Sequence, residues 1–304
     1  MAGYKSMQTV IKYRILSTII IFLNFSTGHA TALNVDQHVV ELMAQYQSIH
    51  DKLNNNQFKR PLAIKSMASD TTLKSEVYAI INYPFPIVHE ALNQPEHWCD
   101  ALILHINIKF CRMDNNSHGT FLNLNLGKKT QQSLPQTYKT TLNFHAVESS
   151  ANYFLIHLTA KDGPLGTYDY DVLLEATPLK DTQTLVHFTY SYAFGTVGRV
   201  AMKSYLATTG RDKVGFTVSR IEPDGQIVFI KGIRGVAERN TMRYFLAIDA
   251  YLAALNDAPE KQLGNRLNSW FDSTELHKAQ LYEMNREEYL EMKQSEVLRQ
   301  NTLQ

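Results

Sequence analysis

The sequence predicts an α+β fold in which an antiparallel β-sheet is followed by a long α-helix. Six strand-like segments between residues 104 and 195 are separated by loops rich in Asn, Gly, Pro, Asp or Ser, at the regular spacing of an antiparallel sheet. The longest helix-like stretch, about residues 236–255, comes after these strands. A strand-like segment and two short helix-like segments precede them. This order of elements indicates one large domain with additions at its ends.

The first 32 residues have the pattern of a secretory signal peptide. Lys5, Lys12 and Arg14 form a basic region, an apolar region follows, and an Ala-x-Ala pattern ends at Ala32. An uncleaved membrane anchor is the alternative, but the apolar core is only about half of the roughly 20 residues that span a bilayer. We therefore expect a periplasmic or secreted protein after cleavage near Ala32. The formal net charge of +1 argues against a nucleic-acid partner.

The chain has two cysteines, Cys99 and Cys111. In an oxidising compartment two cysteines this close usually pair. A bridge would close a loop of about a dozen residues and add about 3 kcal/mol of stability in the chain-entropy model. A redox or metal pair is the weaker alternative, because the spacing is not C-x-x-C and no His-rich cluster lies nearby. We predict a structural disulfide.

The elements before the main sheet can be read in chain order. Residues 33–58 predict an N-terminal helix with apolar residues on one face. Extended segments at 62–67 and 72–83 follow. Pro84 and Pro86 end the second strand and favour a short helix near 87–93, with one more helical turn at 95–99.

Residues 104–304 contain the predicted main sheet, the long helix and the C-terminal extension. We predict strands near 104–113, 118–127, 137–148, 151–161, 168–177 and 184–195. Residues 196–212 predict a short helix, residues 216–231 a hairpin, and residues 236–255 the long helix. Residues 258–304 form a polar, partly helical C-terminal extension, and its final part is expected to be a solvated helix.

The order of elements resembles the helix-grip fold of the START and polyketide-cyclase-like (SRPBCC) superfamily. Val77-Tyr78-Ala79-Ile80, Pro86 to Leu92 and Pro95-Glu96-His97-Trp98 look like the opening pattern of that superfamily, in which a strand enters a helix and a turn with tryptophan follows. The likeness covers residues 59–257. The helix and hairpin at 197–231 and the tail after Pro259 depart from its compact members, so the resemblance does not define the ligand.

The resemblance implies a curved sheet around the long helix, with a cavity between them for a hydrophobic small molecule or lipid. We expect ligand binding without a cofactor. Alternatives are an enzyme, either a cyclase or a hydrolase, on the same scaffold, and a protein-interaction module whose core is filled by its own side chains. The helix at 196–212 mixes apolar and basic residues, which suits transient contact with an anionic membrane surface. Simple packing on the rim of the domain is its alternative.

The alternation of residues along two strands yields candidate ligand-binding side chains. Phe188, Tyr190 and Tyr192 share one face of the last strand in the period of two typical of sheets. By the same period Tyr168 and Tyr170 share a face and would direct their hydroxyl groups into the cavity. An ordinary strand with a solvated outer face is the alternative for these two tyrosines.

The long helix adds Asn240 and Arg243 as candidates, since either could border the cavity and contact a carboxylate or headgroup. A surface position, or an ion pair with a carboxylate of the sheet, is the alternative. A metal site is not expected, because a two-residue turn in the 137–161 hairpin would place His145 and His157 on opposite faces. Gly-x-Ser-x-Gly and a phosphate-binding glycine loop are absent from the sequence.

Overall fold

The structure, a computed structural model, describes residues 35–303. The expected signal peptide at 1–32 lies outside these residues. The described helices are α1 (Val35–Asn54), α2 (Phe85–Leu92), α3 (Pro95–Leu102), α4 (Thr196–Ala207), α5 (Gly232–Ala253), α6 (Pro259–Glu275), α7 (Lys278–Leu281) and α8 (Arg286–Leu303). The described strands are β1 (Leu62–Ala68), β2 (Thr72–Ile81), β3 (Ile108–Asn116), β4 (Gly119–Leu126), β5 (Tyr138–Ser149), β6 (Phe154–Asp162), β7 (Thr167–Lys180), β8 (Gln183–Phe194), β9 (Val218–Ile221) and β10 (Ile227–Phe229).

Strands β1 to β8 form a single antiparallel sheet, which confirms the predicted α+β class. The strand order is β1-β2-β8-β7-β6-β5-β4-β3, so β1 and β3 are its edges. Strand β8 returns to pair with β2, and this pairing joins the N-terminal strands to the long meander. Strands β9 and β10 form a separate hairpin.

Helix α5 packs against one face of this sheet, which is the helix-grip arrangement. It contacts β1, β2, β8 and α3. Met242, Phe245 and Leu246 are buried in a core shared with inner-face residues of β2 and of β4 to β8. Because α6 packs against it as well, α5 is buried around most of its circumference and has no wide polar face.

The outer face of β8 is also covered. Helix α1 packs there and forms a second apolar cluster in which Leu42 and Leu53 meet Tyr78, Tyr153 and Leu185. Both faces of β8 are therefore buried, although its sequence alternates between apolar and more polar positions. One polar position is satisfied locally, because His187 Nδ1–H donates to Glu175 Oε1 at 2.7 Å and the imidazole ring stacks on Tyr78.

The C-terminal extension is part of the packed domain, and the expectation of a solvated final helix is wrong. Trp270, Phe271, Tyr289 and Met292 are all buried in the main core. Lys293 is fully buried and donates to the carbonyl oxygens of residues 105 and 108 at 2.8 and 2.7 Å, and to Glu296 at 2.7 Å. Polar side chains that suit a solvated helix in sequence here bind backbone groups of the domain.

Helix α8 also lies along β3, one of the two edge strands. The Gln300 side-chain oxygen accepts the backbone N–H of Cys111 at 2.9 Å. The Arg299 guanidinium donates to the backbone oxygen of Lys109 at 2.7 Å. Side chains of α8 therefore take the place of a further strand for these two edge groups.

The predicted disulfide between Cys99 and Cys111 is confirmed. Their Cα atoms lie 5.2 Å apart, and the bridge ties α3 to β3. The chain between them turns through Ile103, Leu104 and Ile106, which are all buried. Within residues 35–303, no helix is both long enough and apolar enough to cross a membrane.

Candidate functional site

A narrow apolar cavity lies between the sheet and α5. Its volume is about 40 Å³, which would hold about three water molecules at roughly 10–15 Å³ each. Its wall is almost wholly apolar and comes from α3, α5 and strands β4 to β8. The lining residues are Trp98, Leu102, Leu124, Leu126, Thr140, Leu142, Leu158, Tyr170, Val172, Phe188, Tyr190, Tyr244 and Ile248.

Strand register explains why these residues meet. Leu158 pairs with Val172 across β6 and β7, and Val172 pairs with Tyr190 across β7 and β8. Directly opposed residues of antiparallel strands share a face, so these side chains form a continuous row. Tyr244 and Ile248 are four positions apart on α5, and this spacing directs both toward the row.

Three tyrosines, Tyr170, Tyr190 and Tyr244, form the polar side of the cavity, and Tyr192 packs beside Tyr170. Tyr170 stacks on Tyr192 at a ring distance of 5.2 Å, and Tyr190 lies 5.3 Å from Tyr244. The Tyr170 hydroxyl hydrogen-bonds Thr167 Oγ1 at 2.7 Å. Burial raises the pKa of Tyr170 and raises that of Tyr190 well above its usual value. The hydroxyl groups are therefore protonated at neutral pH, and they act as hydrogen-bonding groups and not as bases.

The structure places three of the seven candidate ligand-binding residues in the cavity wall, namely Tyr170, Phe188 and Tyr190. Tyr192 is buried beside Tyr170 but does not line the cavity. It therefore packs against a wall residue without facing the cavity.

The expectation that Tyr168 directs its hydroxyl group into the cavity beside Tyr170 is wrong. Strand β7 has a bulge against β8 between Tyr168 and Asp171, and Asp169 adopts a positive φ of 49°. A bulge adds one residue to a strand and shifts its register against the neighbouring strand. Tyr168 consequently pairs with Ala193, is 36% exposed and lies outside the cavity wall.

The two candidates on α5 also lie outside the cavity wall. Arg243 is buried, and its guanidinium donates to Glu283 at 2.6 Å. Its partner belongs to the C-terminal extension, and not to the sheet. Asn240 is half-buried beside His105. Neither residue contributes to the wall.

Sequence reasoning missed Tyr244, Trp98 and the leucines of β4 to β6 as wall residues. Tyr244 stacks on His105 at a ring distance of 4.1 Å and lines the cavity with its other side. The spacing of Tyr244 and Ile248 was the available signal. It was obscured because α5 is apolar on more than one face.

The expectation for the histidines in β5 and β6 is also wrong. His145 pairs directly with His157, so the two share a face, because the turn is longer than two residues and β5 carries a bulge near Val147. His157 Nε2 lies 3.1 Å from Asp171 Oδ2. Among residues 35–303, no group of three or more His, Cys, Asp or Glu side chains is arranged to hold a metal ion.

The strand order and the position of α5 define the chain as a helix-grip protein with a narrow internal cavity. No protein-family model matches it. A search of the curated proteins also finds no match.

Several solved structures align with parts of the chain. Norcoclaurine synthase from Thalictrum flavum is 14% identical, with 47% of this chain and 89% of that chain covered and a TM-score of 0.34. A conserved protein of unknown function from Enterococcus faecalis is 11% identical, with 75% and 98% covered and a TM-score of 0.35. The ZhuI aromatase/cyclase from Streptomyces sp. R1128 is 12% identical, with 68% and 94% covered and a TM-score of 0.32. These TM-scores describe partial overlap, so the fold assignment rests on the strand order and on α5.

Proposed function

We propose that this protein is a START-like binding protein that holds a hydrophobic or amphipathic, lipid-like molecule between the sheet and α5. The observation that supports this proposal is the cavity wall, which is apolar except at the tyrosine cluster. Apolar burial would supply most of the affinity, at about 25 cal/mol per Å² before ordering costs. The hydroxyl groups of Tyr170, Tyr190 and Tyr244 would hydrogen-bond the polar end of the ligand.

Ligand entry requires the cavity to widen, because pockets that hold drug-sized ligands measure roughly 300–1,000 Å³. The rings of Phe188, Tyr190 and Tyr244 occupy the space that a ligand would take. Separating an aromatic pair costs about 0.5–1.5 kcal/mol. The free energy needed to turn these rings aside is therefore smaller than the free energy gained by burying a lipid-sized apolar surface. We expect the affinity for the ligand to depend on how these rings pack.

A titration with the uncharged probe N-phenyl-1-naphthylamine tests this function, together with native mass spectrometry of the purified protein for a co-purifying lipid. We expect saturable binding of one probe per chain. Val172→Phe places a ring in the cavity and should weaken binding at least tenfold, whereas Phe188→Ala should strengthen it. Val147→Phe is the matched control, since Val147 lies on the same sheet and is exposed. Equal binding by folded Val172→Phe and wild-type protein would show that the probe binds elsewhere and that the proposal is wrong.

The narrowness of the cavity favours a second candidate, a protein-interaction module with a filled core. Leu276, Leu298 and Leu303 in the C-terminal extension are 79%, 70% and 52% exposed. Such side chains suit contact with an apolar protein surface. Absence of probe binding in the titration, combined with weakened self-association or partner binding in Leu276→Ser and Leu298→Ser, would favour this candidate.

We also propose that α4 contacts an anionic membrane surface while the ligand is exchanged. Val197 and Val200 on α4 are 67% and 59% exposed, and Leu165 in the turn beside α4 is 52% exposed. Arg199 and Lys203 of the same helix are exposed basic residues. Apolar and basic residues together suit an anionic interface. Co-sedimentation with phosphatidylserine vesicles should exceed that with phosphatidylcholine vesicles, and Val197→Ser with Val200→Ser should abolish the difference.

We finally propose that the protein is exported and acts in the periplasm or outside the cell. The disulfide supports this, because such bonds persist mainly in oxidising compartments. Expression of the full chain in a secreting host, followed by mass spectrometry of the N-terminus, tests the proposal. We expect a chain that starts at Leu33, and an uncleaved chain retained in the cytoplasm would contradict it.

A further inference from the structure

Three basic side chains contact one carboxylate at a junction of four chain segments, and a fourth, Arg239, lies one helical turn from Arg243 on α5. Arg239 and Arg243 belong to α5, Lys129 follows β4, Lys213 follows α4, and Glu283 joins α7 to α8. Arg243 and Lys129 each donate to Glu283 Oε1 at 2.6 Å. The ammonium group of Lys213 lies 3.6 Å from Glu283 Oε2. We call these five side chains the cationic junction.

Arg239 has no acidic partner of its own. It is 1% exposed, and it donates to the backbone oxygen of Val214 and to the Tyr205 hydroxyl, each at 3.2 Å. No carboxylate of residues 35–303 lies within ion-pair distance of it. The adjacent Glu238 instead accepts hydrogen bonds from Ser66 and from the 216–217 backbone. Arginine is seldom fully buried without a paired acid.

Arg243 is likewise incompletely satisfied. It is 3% exposed, and its Nε is buried without a hydrogen-bond partner in the described part of the chain. Its Nη2 group contacts only Glu283 and the backbone oxygen of Leu281. A buried donor that makes no hydrogen bond is costly, and a guanidinium offers two parallel donors to a planar oxyanion.

The charges of the cationic junction do not balance. Three cations share the single carboxylate of Glu283, which therefore leaves two positive charges uncompensated. Burial and the charge of Arg243 lower the pKa of Lys129 to about 8. Burial raises the pKa of Glu283, but Arg243 and Lys129 outweigh burial and lower it. His105 adds no negative charge, and burial followed by Arg243 lowers its pKa well below the usual value.

We propose that the cationic junction binds an external oxyanion, a carboxylate or a phosphate group, and that Glu283 is the internal anion that such a ligand displaces. Lys129 and Lys213 give access, because their side chains are 27% and 23% exposed. Glu283 lies in a connection between two helices, so it can leave without breaking a helical turn. Arginine forks suit both carboxylate and phosphate, and the lysines add point charges. The site is separate from the cavity and does not depend on a lipid ligand.

Calorimetric titration of the full protein with potassium phosphate and, separately, with potassium acetate tests this site against potassium chloride at equal ionic strength. Glu283→Gln removes the competing carboxylate, and we expect it to bind at least one of the two anions at least tenfold more tightly than wild type. Glu275→Gln is the matched control, since Glu275 pairs with Lys278 at the surface. Adding Lys129→Met to Glu283→Gln should weaken binding at least tenfold, whereas adding Lys278→Met should not.

The comparison of the two anions identifies the ligand class. Tighter binding of phosphate alone indicates phosphate ligands, and tighter binding of acetate alone indicates carboxylates. Equal affinity of Glu283→Gln and wild type for both anions would overturn the proposal. If Glu283→Gln fails to fold, phosphate or acetate should restore its cooperative thermal unfolding. Failure of both anions to do so would also overturn it.

Discussion

Reduction of the Cys99–Cys111 disulfide should destabilise the protein by about 3 kcal/mol, as the chain-entropy relation gives for a short closed loop. The two residues are 12 positions apart. The native loop should keep its structure after reduction, because α8 holds it independently. Tyr289 donates to the backbone oxygen of Leu104 at 2.9 Å, and Lys293 donates to that of His105 at 2.8 Å. The loss should therefore arise in the unfolded chain, which gains freedom.

Urea unfolding of the oxidised protein and of protein reduced with a phosphine measures this effect. With an m-value of about 2–3 kcal/mol/M, the midpoint should fall by about 1–1.5 M on reduction. The double variant Cys99→Ala with Cys111→Ala is the control, and its midpoint should not respond to the reductant. A shift below about 0.3 M in protein whose reduction is verified by mass would refute the reasoning, because the loop-closure entropy would then be absent.

Three further predictions concern buried polar groups and the extension. Burial disfavours the charged form of His187, but its hydrogen bond to Glu175 and the carboxylate of Glu76, 3.8 Å away, outweigh burial and raise its pKa. The free energy of unfolding should therefore include a stabilising term that is complete below pH 6.5 and is lost as the pH rises through the raised pKa. Chemical denaturation across pH 6–9, about the range in which histidine titrates, should show that His187→Gln removes this pH dependence. His145→Gln, at an exposed position, should leave it unchanged. Glu238→Gln should lower the free energy of unfolding, measured by chemical denaturation, by about 2–4 kcal/mol, because the carboxylate accepts backbone and hydroxyl hydrogen bonds that an amide cannot all replace. Glu260→Gln, at an exposed position, should leave the free energy of unfolding almost unchanged. Truncation after residue 258 removes seven buried apolar side chains of the main core, worth about 1.5–3 kcal/mol each, a sum comparable to the whole stability of a domain. Circular dichroism should therefore show an unfolded or aggregated chain, and a cooperative melt like that of the full chain would contradict this.

The fold class and the disulfide could be predicted because local patterns carry them. Period-two alternation along β8 correctly grouped Phe188, Tyr190 and Tyr192 on one face. The same rule did not place Tyr168 correctly, because β7 has a bulge against β8 beside Asp169 and Tyr168 lies outside the cavity wall. No residue type at that position announces a bulge, because an aspartate with positive φ is uncommon and also suits ordinary loops.

The surroundings of Arg243 could not be predicted for a different reason. Its partner Glu283 lies 40 positions away in an extension whose polar sequence favoured a solvated helix. Lys293, Glu296 and Gln300 are buried because they bind backbone groups and one another, and composition does not distinguish such residues from surface ones. The cavity was predicted from a resemblance, and its small volume depends on rotamers that a sequence does not specify.

The side chains of α8 that bind β3 have a consequence for behaviour at high concentration. An open sheet border with free backbone groups is a template on which a strand of another molecule can add. Gln300 and Arg299 bind two such groups with their side chains, and a side chain offers no row of backbone groups to which another strand could pair. At these two groups the last helix therefore blocks the pairing of β3 with a strand of another molecule.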